Sequence, residues 1–134
     1  MNPLDLTHTP LLDGDVLDLD FGVDSRPEDL HNDYSCRAFV DDGDGLAFLF
    51  RRADGAEISL IFESAVLLES AGRFGVGTTL LAFYRGRYFA DGDSRNALVE
   101  QQGARYFYYL DFIEADFSLT LASTRVTAQF TAAP

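Results

Sequence analysis

The sequence predicts a mainly β fold, α+β at the margin: a curled antiparallel sheet or β-sandwich of about seven strands with one to three short helices. Three observations carry this. Apolar and polar residues alternate over many short runs, the period of a half-buried strand. The runs are separated by Asp-Gly and Gly-rich turns too short for crossover helices. The composition, 47% hydrophobic with 12 Phe and 6 Tyr in 134 residues, favours strands and a substantial core.

Taken in order, "DGDVLDLDFGVDSRPEDLHND" (residues 13–33) carries eight acids and one arginine. Its apolar residues nevertheless recur: Leu17, Leu19 and Phe21 face one way, Asp18 and Asp20 the other. Unpaired carboxylates are costly to bury, so this is a strand with an acidic outer face. Ser25 followed by Glu28, with Pro27 between, has the spacing of a capping box, which predicts a short helix over 26–32. "YSCRAFV", "LAFLFRR" and "EISLIFE" then read as a three-stranded meander over 34–63. It turns at "DDGDG" and "ADGA", with Leu46, Phe48, Phe50, Ile58, Leu60 and Phe62 inward. "SAVLLESAG" suits either a strand or a short helix. "RFGVGTT" is a loop, and "LLAFYRGRYFA" a strand with a bulge at Gly86. "DGDSRNALVEQQG" reads as a loop and short helix capped by Asp93 or Ser94 and ended by Gly103. "ARYFYYLDFI" and "DFSLTLASTRVTAQF" are two long strands, the second irregular near Ser123.

One domain over 1–134 is expected, with a loose N-terminal arm over about 1–12 and a loose tail over about 131–134. The single cysteine, Cys36, rules out an internal disulfide. The N-terminus lacks the charged and apolar regions of a signal peptide. No apolar run approaches the roughly 20 residues of a membrane helix. A cytoplasmic protein with no membrane partner is the expectation.

Net charge is −12, and all ten basic residues are arginine. Residues 1–44 hold 12 acids and 2 arginines; residues 45–134 hold 10 and 8. Such a field repels nucleic acid and anionic membrane and attracts basic partners; equally, it keeps a protein soluble.

Four constellations bear on chemistry. Asp41, Asp42 and Asp44 resemble a calcium loop in composition, but neither register places oxygen ligands at the required alternate positions, so a structural turn is expected. His31, Asp33 and Cys36 lie close in sequence, yet a lone cysteine is usually an apolar filler. Glu63 with Glu69, or Asp111 with Glu114, would need to flank a cleft for acid–base work. Tyr84, Arg85, Arg87, Tyr88 and Arg105 interleave cations and rings, which can clamp single-stranded nucleic acid. The net charge favours instead arginines paired with surface acids and rings lining a core, and a protein-binding hot spot has the same composition. No catalytic residue, cofactor or metal is assigned, and the balance leans away from an enzyme.

A compact, acidic, strand-rich chain without a catalytic motif looks like the immunity proteins of bacterial toxin systems and like phage-encoded inhibitors. The resemblance lies in composition and carries no residue across. It implies a non-enzymatic inhibitor that neutralises a basic protein, a toxin or nucleic-acid-acting protein, without touching nucleic acid itself. The candidate contacts are Asp13, Asp15, Asp18, Asp20, Asp24, Asp41, Asp42 and Asp44. The alternatives are a small-ligand or enzymatic β domain with an Arg/Tyr cleft at Tyr84, Arg85, Arg87, Tyr88 and Arg105, and a homo-oligomer built by strand-edge pairing.

Overall fold

The computed structural model describes residues 3–8, 18–21, 27–90, 96–113 and 116–134. Its strands are β1 (Leu4–Asp5), β2 (Asp18–Leu19), β3 (Glu28–Asp29), β4 (Tyr34–Asp41), β5 (Gly45–Arg52), β6 (Glu57–Glu63) and β7 (Val66–Ala71). They continue with β8 (Leu80–Arg85), β9 (Arg87–Ala90), β10 (Asn96–Val99), β11 (Gln101–Gln102), β12 (Arg105–Phe112), β13 (Phe117–Ser123) and β14 (Arg125–Thr131). All pairings are antiparallel. The mainly β, antiparallel fold is the one the alternation predicts.

The expected helices do not appear among the described residues. Glu28–Asp29 pairs with β2 instead. The Asp29 carboxylate accepts the backbone N–H groups of His31 and Asn32, each at 2.9 Å. Ser25 of the expected capping box lies outside the described residues, and Glu28 accepts from Tyr34 and Arg52. Asp29 closes a single turn instead, and Tyr34 leaves it as a strand. Asn96–Val99 pairs with β9, and Gln101–Gln102 with β12, so the second expected helix is strand as well. "VLLESA" resolves as β7.

One sheet has the order β1-β14-β6-β5-β4. In the other, β12 lies between β13 and β8, β7 pairs β13 and β11 extends the edge. Two neighbouring strands pass from one sheet to the other together, β6 into β7 and β14 into β13. The corner is made at Ser64, whose φ is 50°, and at Thr124, whose N–H and hydroxyl both donate to the Glu63 carbonyl at 3.1 and 3.2 Å. On the opposite side, Cys36 N–H donates to the Thr78 carbonyl and Gly77 N–H to the Cys36 carbonyl, both at 2.8 Å. That bridge joins β4 to the segment entering β8. The two sheets therefore wrap into a partly closed, flattened barrel, joined on one side by the continuous β6–β7 and β13–β14 segments and on the other by this isolated bridge.

The interior is filled by rings. Phe48, fully buried, stacks on Phe39 at 4.7 Å and meets Phe62 and Phe112 at 6.0 and 5.8 Å. Phe62 also packs edge-on against Tyr108 at 5.4 Å. Burying one such side chain contributes about 1.5–3 kcal/mol. All six inward positions predicted for the meander are buried.

Leu4–Thr7 lies within the stretch expected to be a loose arm. Here β1 pairs with β14, Leu6 and Thr7 are buried, and the Thr7 hydroxyl accepts the Val126 N–H at 3.0 Å. At the barrel end, Leu19 and Leu30 are buried, Phe21 packs against Phe130 at 5.6 Å, and Glu28 accepts hydrogen bonds from Tyr34 and Arg52 at 2.6 and 2.7 Å.

Candidate binding surface

Asp41, Asp42 and Asp44 are exposed at the tip of the β4–β5 hairpin. Asp41 accepts the Gly43 N–H at 3.0 Å, and Asp42 accepts those of Asp44 and Gly45 at 3.0 and 2.7 Å. Each of these bonds uses one carboxylate oxygen (Oδ1), so the turn is held by its own acids while they present negative charge to solvent. Gly43 supplies a φ of 92° that other residues rarely adopt.

Asp18 and Asp20 are exposed at the other end of the same hairpin, because β3 is tied to Tyr34 and Arg52. Along a strand the length of β4 the two groups stand on the order of 20 Å apart. The described aspartates therefore form two separate groups. Asp13, Asp15 and Asp24 lie outside the described residues.

Beside the Asp41–Asp44 turn, the chain leaves Ser64 as β7, and the Ala65 N–H donates to the Asp44 carbonyl at 3.1 Å. All six residues of β7 are exposed. Val66, Leu67 and Leu68 stand 43%, 41% and 37% accessible, three consecutive large apolar side chains on one strand. β7 pairs with β13, and among the described residues no strand pairs its other edge. The register with β13 shifts between Thr120 and Leu121, leaving Leu68 as the extra residue of a bulge. A shallow cleft of about 330 Å³ runs from the turn to this corner, lined by Val40, Asp42, Asp44, Ile61, Glu63 and Ser64. The sequence reading missed β7 as a surface. Its signal was the run of three apolar residues that breaks the alternation.

The arginine–tyrosine cluster is divided between the faces of its sheet. Arg85 is the cross-strand partner of the buried Tyr108, and directly opposed residues share a face. Its guanidinium therefore points to the barrel mouth. There it donates to the Thr7 carbonyl, pairs with Glu100 at 3.3 Å and lies 5.8 Å from the Tyr106 ring centre. Arg105, three residues before Tyr108, takes the outer face and donates to the Ser64 carbonyl at 2.9 Å. Tyr84 is on that outer face too, with its ring 5.1 Å from Tyr109. Arg85 and Arg105 are not brought together. The side chains of Arg87 and Tyr88 lie outside the description.

A different set of cations meets at a polar cleft of about 490 Å³, lined by His31, Asp33, Tyr34, Arg37, Arg51 and Arg52 among others. Arg37 is the extra residue of a bulge between Cys36 and Ala38, and no acid pairs with it among the described residues. Arg51 pairs with Glu57 at 2.7 Å, and Arg52 with Glu28 and Asp54 at 2.7 and 2.8 Å. The acids thus balance most of the positive charge.

Cys36 is fully buried, with its thiol directed at the Ala38 carbonyl at 3.6 Å. Burial pushes the thiol up to about 12, so little thiolate forms near neutrality. His31 Nδ1 lies 3.0 Å from the Leu80 carbonyl. Glu63 faces Arg125 at 3.6 Å. Asp111 is raised by burial and by the neighbouring Asp116, while Glu114 is outside the description. Among the described residues no group of three metal-ligating side chains occurs, and no helix is long and apolar enough to cross a membrane.

The fold and surface are those of a mainly antiparallel β structure with an acidic hairpin tip beside an apolar strand edge. No protein-family model, curated protein or solved structure matches the chain.

Proposed function

We propose that this protein is a non-enzymatic acidic binder that neutralises a basic protein partner, acting in the cytoplasm of a bacterial or phage-infected cell. One observation supports the reading above the others. The Asp41–Asp44 turn and the exposed Val66–Leu68 run are tethered to one another, so fixed negative charge borders an apolar surface. Interfaces combine a desolvated apolar centre with a charged rim, and the rim governs encounter rate and partner choice. Asp41, Asp42 and Asp44 form that rim and Val66, Leu67 and Leu68 the centre. Asp18 and Asp20, at the far end, add to the long-range field.

The test is affinity capture from source-cell lysate with nuclease present, followed by association kinetics of the retained protein. A stoichiometric basic partner is expected. Its association slows about tenfold at low salt for the D41N/D42N/D44N variant, with a flatter salt dependence. Unchanged kinetics sink the reading.

The Arg37 cleft favours a second reading, a small anionic ligand held by Arg37 and Arg51. Stabilisation by inorganic phosphate or citrate that persists at moderate salt and is lost in Arg37→Ala supports it.

A further inference from the structure

We propose that β7 receives an extended segment of the basic partner as an added strand; this rests on the binder reading above. A strand edge presents unpaired N–H and C=O groups, and natural proteins normally blunt it with charge, proline or a covering element. In β7 the protection amounts to the bulge at Leu68 and the single charge of Glu69, while Val66, Leu67 and Leu68 remain exposed in a row. Elsewhere, Cys36 and Thr78 bridge one seam, and β1 covers part of the edge of β14. An apolar edge that no strand pairs among the described residues is suited to main-chain pairing with another chain.

Charge selects the occupant. Asp42, Asp44 and Glu63 lie at the start of β7 and Glu69 within it; Arg125 faces Glu63, Arg105 meets Ser64 and Arg73 follows the strand, so Asp42 and Asp44 carry the local negative charge. A second copy would bring the same acids and another net charge of −12 to the contact. A strand alternating apolar residues with Lys or Arg would set its apolar side chains against Leu67 and the cation nearest the corner towards Asp42 and Asp44. Backbone pairing would then supply affinity and the alternating side chains specificity.

The experiment uses the full chain and an end-capped ten-residue peptide alternating Val with Lys. Two control peptides are needed, one with alternate amides N-methylated and one with Glu for Lys. Amide exchange over Val66–Ala71 is followed by NMR. The expected result is at least tenfold slower exchange with the Val/Lys peptide alone, and at least tenfold weaker binding to Leu67→Lys, a substitution at an exposed site that leaves the fold intact. Equal protection by the N-methylated peptide, or none by any peptide, overturns strand addition. Protection that grows with protein concentration in the absence of peptide, with a dimer by light scattering, replaces the partner with a second copy and overturns the assignment. A captured partner that binds Leu67→Lys undiminished but D41N/D42N/D44N slowly removes strand addition and leaves the binder reading standing.

Discussion

The backbone N–H of Ala65 donates to the carbonyl of Asp44 at 3.1 Å, fastening the corner where β6 becomes β7 to the acidic turn between β4 and β5. The charge of the turn and the apolar edge of β7 are therefore positioned by one another. Gly45 adds to this constraint, because a Cβ there would stand 2.7 Å from the Phe62 carbonyl oxygen.

Gly45→Ala should therefore destabilise the protein by about 1–3 kcal/mol, the usual cost of overpacking against a backbone that cannot yield. Asp42→Asn keeps a side-chain oxygen for the Asp44 and Gly45 N–H groups and should lie within about 0.5 kcal/mol of wild type. Urea unfolding measures both. A large loss in Asp42→Asn would show that charge as well as the acceptor holds the turn.

Phe48→Ala removes a ring that touches Phe39, Phe62 and Phe112 across both sheets. The expected cost is about 3–5 kcal/mol. A cost below about 1 kcal/mol in urea would mean that the two sheets do not share a tightly packed interior.

Tyr108→Phe should be neutral or stabilising by about 1 kcal/mol. The Tyr108 hydroxyl is buried and has no hydrogen-bond partner of good geometry among the described residues, and an unmet buried hydroxyl carries a desolvation penalty that phenylalanine lacks. Marked destabilisation would show that the hydroxyl is satisfied in solution, with its cross-strand neighbour Arg85 as the candidate donor.

Stability should fall with rising pH between about 9 and 12. Burial pushes both the Cys36 thiol and the Tyr108 phenol up to about 12, from ordinary values of 9.0 and 10.0. Tyr34 is raised as well, by burial and then by its hydrogen bond to Glu28. In that window the unfolded chain has released protons that the folded chain retains, so ΔG of unfolding declines as pH climbs. Cys36→Ala and Tyr108→Phe should each flatten the decline in urea midpoint. At the acid end the sign reverses. Asp54, hydrogen-bonded by Arg52 and the Ala56 N–H, is held at about 2, so its contribution is present above 3.8 and fades as pH drops towards 2. Identical urea midpoints across the alkaline window would contradict the burial of these groups.

The central meander was legible because strand periodicity is local. Leu46, Phe48 and Phe50 alternate with their neighbours, Asp-Gly marks the turns, and no distant residue is needed to read either. The helical expectation over 26–32 failed for an equally local reason: Asp29 closes one turn with its own carboxylate, and a helix must go on to pay its nucleation cost over further turns. The run at Val66–Leu68 was visible but ambiguous, since a short apolar stretch without alternation fits a strand or a helix.

By itself, then, the sequence determined the class of fold, its antiparallel turns, the inward side chains of the meander and the acidity of the chain. The tertiary structure decided what those parts face. It set Asp41–Asp44 and Asp18–Asp20 at opposite ends of one hairpin, divided Arg85 from Arg105 across a sheet, bridged Cys36 to Thr78 across one seam and left β7 at an edge. The physical reason is sequence separation. Alternation and turn chemistry act between neighbours, whereas closure and the grouping of charges depend on contacts between residues far apart in the chain, which no local pattern encodes.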